Sequence, residues 1–282
     1  MRWPPPPDWP MAAHSRRVDC RPHRWHVQEA GAGPLALLLH GAGGATQSWR
    51  ALFPLLAARR RVVAIDLPGQ GYTRPGAPGR LGLDAMAHDV VALLRQEGWR
   101  PDLLVGHSAG GALALRLALL PELAGARVLG LNAALEEWQG VAGWLMPRAA
   151  RALAAMPFAA TAISGAIASP PRVRRLVEGT GSHLDARGLA LYGRLVRDPD
   201  HVAGTIGMMA QWSVAELNRS LRGIAAPVLL LAGRGDRAVP PRVAERAARV
   251  LPQGRAATLE GLGHLMHEED AAAVLAAAEA VL

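Results

Sequence analysis

Residues 102–120 read DLLVGHSAGGALALRLALL, and the architecture of the chain can be worked out from them. An apolar strand, Asp102 to Val105, enters Gly106-His107-Ser108-Ala109-Gly110, and a helical run from Ala112 to Leu120 follows. A serine between two spaced glycines, set between a strand and a helix, is the pattern of a nucleophile elbow. The glycines have a steric reason. The serine occupies a strained strand-to-helix turn, where side chains at the flanking positions would collide with neighbouring backbone. That turn holds the hydroxyl forward, and the helix N-terminus behind it favours developing negative charge.

Outward from the elbow, short Val/Leu/Ile-rich runs alternate with longer helical periods. Arg16 to Cys20 and Arg24 to Glu29 read as an opening hairpin, and Leu35 to Leu39 as a buried strand ending at His40-Gly41. A helix over Gln47 to Ala58, a strand at Arg61 to Asp66, a helix over Leu83 to Glu97 and, past the elbow, a strand at Ala126 to Asn132 continue the alternation. Such order implies parallel strands joined by helical crossovers, the α/β class. From Ala134 to Arg222 no strand-like run occurs; the alternation resumes with Pro227 to Ala232, a helix at Arg242 to Val250, a strand at Ala256 to Leu259 and a last helix from Glu268 to Val281. The expected organisation is an N-terminal Pro/Trp-rich arm (1–14), a mostly parallel central sheet flanked by helices (15–133 and 223–282), and a helical cap inserted after the sixth strand (134–222).

A serine hydroxyl becomes a useful nucleophile when a base takes its proton and a carboxylate orients that base. For this elbow the expected chain order is serine, acid, histidine. Asp236, in Gly233-Arg234-Gly235-Asp236, and His264, in Gly261-Leu262-Gly263-His264, each follow a strand, where a site above a parallel sheet is built. Asn132 ends the preceding strand, an alternative acid position, but an amide cannot stabilise an imidazolium as a carboxylate does. His107 is read as packing beside the nucleophile, His267 and Glu268 as starting the last helix, and His183 and His201 as residues of the insertion placed on the surface, with a pocket lining as the alternative. The run from His264 to Glu268 lacks the H-E-x-x-H order of a zinc protease, so no metal site is expected. The backbone amides of Ala109 and of Ala42, in His40-Gly41-Ala42-Gly43-Gly44, are the expected oxyanion donors. That glycine loop has neither a P-loop ending nor a complete G-x-G-x-x-G, which argues against a nucleotide cofactor.

Half of the 282 residues are hydrophobic and 19% are charged, enough apolar material for a large core. The net charge of +8 comes entirely from arginine, since no lysine is present. These arginines are spread out apart from Arg59-Arg60-Arg61 and Arg172 to Arg175, and with no nucleic-acid motif beside them nucleic acid is not an expected partner. A single cysteine, Cys20, and an N-terminus without an apolar signal core suit the cytoplasm. The apolar run Met156 to Ala168 is too short to cross a bilayer and reads as a buried or interfacial helix, which leaves peripheral membrane contact open. Pro4 to Pro7 reads as an exposed, extended arm that Trp3 and Trp9 dock on the body or on a partner.

HGAGG, DLPGQG (Asp66 to Gly71), GHSAG, GRGD and GLGH fall in the order that resembles the α/β-hydrolase family along nearly the whole chain. More narrowly, the Trp/Pro-rich start, Asn132 to Leu135, Gly179 to Ser182, Met208 to Trp212 and His264 to Glu269 resemble the magnesium-chelatase accessory hydrolases of bacteriochlorophyll biosynthesis. That resemblance implies a place near insertion of magnesium into protoporphyrin, with magnesium-chelatase subunits as partners. An expected substrate is then a tetrapyrrole or another large apolar molecule, with Trp138, Trp144, Met208 and Trp212 of the cap lining its pocket and Arg148, Arg151 or Arg172 to Arg175 pairing with its carboxylates. A non-catalytic porphyrin carrier, or a lyase or haloperoxidase-like enzyme, would use the same scaffold.

Overall fold

In the computed structural model, which describes residues 1–137, 149–156, 158–279 and 281–282, eight strands form one sheet in the order β1-β2-β4-β3-β5-β6-β7-β8. They are β1 (Ser15–Cys20), β2 (His23–Ala30), β3 (Leu35–Leu39), β4 (Arg61–Ile65), β5 (Pro101–His107), β6 (Arg127–Leu131), β7 (Val228–Gly233) and β8 (Gly254–Leu259). The hairpin β1/β2 and the β2/β4 pair are antiparallel, and every pairing from β4 to β8 is parallel. Parallel strands covered on both faces need apolar residues at every position, which is why they read as unbroken runs. Along β3, Leu35, Leu37 and Leu39 enter the core on one face while Ala36 and Leu38 enter the core on the other.

One face is covered by α2 (Leu83–Gln96), α3 (Ala109–Ala118) and α10 (Arg242–Val250), through residues such as Met86, Leu113 and Val243. The other is covered by α1 (Leu52–Ala57) and α12 (Ala271–Ala278), through Phe53, Leu56 and Val274. Each such side chain removed from water contributes roughly 1.5–3 kcal/mol. Between β6 and β7 the described helices are α4 (Ala149–Ala155), α5 (Ala159–Ile167), α6 (Pro170–Gly179), α7 (Ala186–Val196), α8 (Pro199–Gln211) and α9 (Ala215–Ser220). The N-terminal arm docks on the body: Trp9 is buried with Ala45, Tyr72, Leu191 and Leu195.

Two expected helices are each interrupted. The run Gln47 to Ala58 divides into a 3-10 turn, Thr46–Trp49, and α1. The run Glu268 to Val281 divides into α11 (Met266–Glu269) and α12, because Asp270 leaves the helical conformation (φ −148°, ψ 86°) and its carboxylate caps Ala273 N at 2.9 Å. Of the two arginine clusters, the first is absorbed by the fold: Arg59 pairs with Glu279, the buried Arg60 with Asp102 and Arg61 with Glu29.

Candidate active site

Ser108 sits between β5 and α3 with φ 52° and ψ −117°, a conformation side-chain-bearing residues rarely take. Its carbonyl accepts from Gly111 N and Ala134 N at 3.0 Å, and its own amide donates to Leu131 O at 2.9 Å, so the strained turn is over-determined by its neighbours. A Cβ on Gly106 would lie 2.1 Å from Gly110 O, and one on Gly110 would lie 2.0 Å from Leu39 O. Both spaced glycines are therefore sterically required. Ser108 is half-buried, at the N-terminus of a helix whose first amides have no partners within the helix.

The loops after β7 and β8 meet above the same sheet edge. Asp236 is buried, and its Oδ1 accepts from Ala238 N at 2.7 Å and Val239 N at 2.8 Å, which fixes the carboxylate plane. Its Oδ2 accepts from His264 Nδ1 at 2.7 Å. With Nδ1–H committed to the acid, Nε2 carries the basic lone pair. His107 lies between this histidine and the elbow: its Nε2 donates to His264 O at 2.8 Å, and the two rings are 4.8 Å apart. Burial, with His267 and His264 adding to it, pushes the His107 pKa well below the ordinary range, so this ring stays neutral and holds backbone.

The glycine loop after β3 packs directly on the elbow, since a Cβ on Gly41 would come 3.0 Å from Ser108 Cβ. Ala42 is exposed at the loop tip, and Ala109 is the first residue of α3. Neither amide donates to a protein acceptor among the described residues. Gly43 N donates to Gln70 Oε1 at 2.6 Å, and His40, buried and neutral, accepts from Leu67 N at 2.8 Å. The loop is thereby tied to the Asp66 to Gly71 turn.

Several residues that shape the site are not apparent from motif reading. Asn132, with φ 46°, donates from Nδ2 to Gly263 O at 3.0 Å and to His264 O at 2.7 Å, and its Oδ1 accepts from Gly233 N at 2.8 Å. Its position at the end of β6 is an alternative acid position only in sequence; in space it pins the backbone of the loops that carry Asp236 and His264. Glu269 accepts from Gly263 N at 2.8 Å and from His183 N at 2.8 Å, and Ser182 Oγ accepts from Leu265 N at 2.7 Å. Between these loops runs Thr180 to Ser182, and a Cβ on Gly181 would lie 1.9 Å from Gly235 O.

His201 of α8 corrects a surface expectation, because it is buried. Its Nδ1 accepts from Gly71 N at 3.0 Å and its Nε2 donates to Gly43 O at 3.2 Å, and burial lowers its pKa to about 4. His183 is exposed. His267 and Glu268 are both buried in α11, not at a solvated helix start. Burial lowers His267 to about 3 and raises Glu268 to about 8, although Tyr192, donating to Glu268 Oε1 at 2.7 Å, and Arg50 oppose the latter. Met208 is fully buried, its sulfur accepting from Gln70 Nε2 at 3.1 Å, and Trp212 packs half-buried against the same core. Trp138 and Trp144, together with Arg148, lie outside the described residues.

A strained serine, a His–Asp pair and a glycine loop grouped at the C-terminal edge of a mostly parallel sheet define a class. A family model described as the alpha/beta hydrolase fold matches residues 34–271, and the chain belongs to that family. It is 45% identical over 265 residues to the Magnesium-chelatase 30 kDa subunit of Rhodobacter capsulatus, an alignment spanning 93% of this chain and 92% of that protein. Among solved structures, the Cif epoxide hydrolase from Acinetobacter nosocomialis matches with a TM-score of 0.77 at 17% identity, covering 95% of this chain and 88% of that one. A thermophilic esterase from Thermogutta terrifontis matches with a TM-score of 0.70 at 23% identity, covering 93% and 96%. At such identities the likeness is one of fold alone.

Proposed function

We propose that the protein is a serine hydrolase of the magnesium-chelatase branch of bacteriochlorophyll biosynthesis, acting on an ester or acyl bond of a tetrapyrrole or another large apolar substrate. The observation that carries this reading is the His264 Nδ1 to Asp236 Oδ2 hydrogen bond of 2.7 Å, on a histidine whose backbone carbonyl accepts from His107, the residue preceding the serine of the strained elbow. In the proposed reaction Ser108 Oγ attacks the carbonyl carbon as its proton passes to His264 Nε2, and the amides of Ala42 and Ala109 receive the oxyanion. Collapse expels the alcohol, which takes the proton from His264. Water, deprotonated by the same nitrogen, then cleaves the acyl-enzyme and restores the serine. Residues 134–222 act as a cap over this centre, with Trp212 offered to the substrate and Met208 packed in the core behind it.

The pathway assignment rests on the similarity to the Rhodobacter capsulatus protein. That relative is named as a subunit, which favours a second reading as a non-catalytic porphyrin carrier. One experiment separates the two. Treatment with an active-site organophosphonate followed by peptide mass spectrometry is expected to modify Ser108, with His264→Ala abolishing the reaction. Tetrapyrrole intermediates are then screened for turnover. An unreactive Ser108 in folded protein, together with saturable quenching of tryptophan fluorescence by Mg-protoporphyrin, would establish the carrier instead.

A further inference from the structure

Large hydrophobic side chains are exposed at only six places among the described residues, and three of these fall within one short stretch: Leu153 (37%), Met156 (59%) and Phe158 (84%). Every described residue from Arg151 to Met156 is exposed, so α4 presents apolar side chains that remain open to solvent among the described residues. The helices α4 and α5 meet at a bend of 110°, and Phe158 at the corner has φ 62° and ψ 2°. A left-handed conformation in a bulky residue is unfavourable and persists where surroundings or function maintain it. Here it turns an aromatic ring outward at the tip. Behind the tip the hairpin is anchored, with Ser164 donating to Val196 O at 2.7 Å.

Charge on this part of the chain is one-sided. Residues 138–177 contain five arginines and neither aspartate nor glutamate, although the whole chain carries 23 acidic residues. Unlike Arg59 to Arg61, the second cluster is not consumed by ion pairs. Arg174 faces Glu178 at 3.8 Å, while Arg172 and Arg175 have no carboxylate partner among the described residues. All three are exposed on α6, the helix that follows the hairpin, as is Leu176.

We propose that the α4–α5 hairpin seats this protein on an anionic lipid bilayer, with Phe158, Met156 and Leu153 entering the headgroup–acyl boundary and Arg172, Arg174 and Arg175 meeting the phosphates. An aromatic and aliphatic tip flanked by arginine is the composition of an interfacial anchor. Each helix is far shorter than the ~20 residues a span requires, and the bend directs them along a surface and not through it. A groove of about 620 Å³ opens beside the same hairpin, between Phe158 and Thr161 on one side and Gly204 and Gly207 of α8 on the other, with Gly69 in its floor. Seating the hairpin in lipid brings the mouth of this groove to the membrane. None of this depends on the chemistry proposed at Ser108.

The test is vesicle flotation of the full chain with phosphatidylcholine and with mixed phosphatidylcholine/phosphatidylglycerol vesicles, at low and at physiological salt. Binding is expected to the mixed vesicles and to be weakened by salt. The double variant Met156→Glu/Phe158→Glu should lower partitioning at least about tenfold, and neutralising Arg172, Arg174 and Arg175 to Gln should lower it by roughly fivefold per charge. Leu55→Glu, at an exposed leucine elsewhere, should leave binding unchanged. Absence of flotation at low salt, or equal binding by the double variant and the wild type, overturns the proposal; the first result would redirect the surface to a protein partner.

Discussion

His264 gives Nδ1–H to Asp236 at 2.7 Å, and His26 stands to Asp66 in the same way at 2.6 Å, with Ser15 Oγ 3.0 Å from its Nε2. By side-chain hydrogen bonds alone, the second set is the more complete triad. Its backbone and surroundings say otherwise. Ser15 begins an edge strand with φ −81° and ψ 132°, an unstrained extended conformation, and its hydroxyl also accepts from Gln28 at 3.1 Å. His26 is fully buried, walled by Trp3 at 5.6 Å and Tyr72 at 5.3 Å between ring centres. Asp66 accepts in addition from Thr46 N at 2.6 Å and Tyr72 N at 2.7 Å, joining the glycine loop to the Asp66 to Gly71 turn. What distinguishes the proposed reactive set from the structural one is a strained serine at a helix N-terminus, not the Ser–His–Asp chain of hydrogen bonds.

The largest effect expected from this contrast is on reactivity. Asp236→Asn should slow organophosphonate labelling of Ser108 by about 10⁴-fold, through the wrong imidazole tautomer, whereas Asp66→Asn should leave the labelling rate of the folded fraction within a few-fold. Labelling at Ser15 would erase the distinction. On stability the order reverses. Asp66→Ala should cost about 3–5 kcal/mol in urea unfolding, because it strands a buried imidazole and two buried amides, and Asp236→Asn about 1 kcal/mol, because one oxygen still accepts.

Acid sharpens the comparison further. Burial alone would raise the Asp66 carboxyl, but His26, His40 and the Tyr72 amide outweigh it and hold it at about 2, against 3.8 when unfolded. A depressed carboxylate contributes stability above 3.8 that is lost as pH falls through 2. His201 acts earlier. Its folded value of about 4 lies below the unfolded 6.5, so between these the unfolded chain binds the extra proton and stability declines as pH falls from 6.5 through 4. Melting followed from neutral pH to 3 should show a loss that His267, His107 and His40, also lowered by burial, share, and that is smaller in His201→Gln by on the order of 2 kcal/mol. The smallest effect is expected for Asn132→Ala, about a tenfold fall in labelling rate with an unchanged pH profile, since this residue positions His264 backbone and carries no proton.

Much of the fold was legible in the chain because its parallel strands are buried on both faces, which leaves apolar runs such as Leu35 to Leu39 and Leu103 to Val105 with glycine-marked ends. The amphipathic period gives α10 the same bounds, Arg242–Val250, as the structure does. Missed features depend on partners far away in sequence. The Asn132 side chain reaches across 131 residues to Gly263, and His201 across 130 to Gly71, so neither role leaves a local pattern. Breaks at Arg50–Ala51 and at Asp270 arise from single turns and caps within stretches whose composition favours helix. His26 and Asp66 were visible only as a strand residue and a turn residue.

The passage of Thr180 to Ser182 between the acid and histidine loops bears on how such a protein can be re-engineered. A Cβ on Gly181 would lie 1.9 Å from Gly235 O and one on Gly263 2.2 Å from Gly181 O, so neither position admits a side chain, and Arg237 N donates to Thr180 O at 3.0 Å. Residues of the insertion are therefore part of the wall that keeps Asp236 and His264 in register, as His201 is for the glycine loop. Grafting a foreign insertion between β6 and β7 would not be a modular exchange: a chimera must carry over the Gly179 to Ser182 segment and the His201 contact, or rebuild both loops around their replacements.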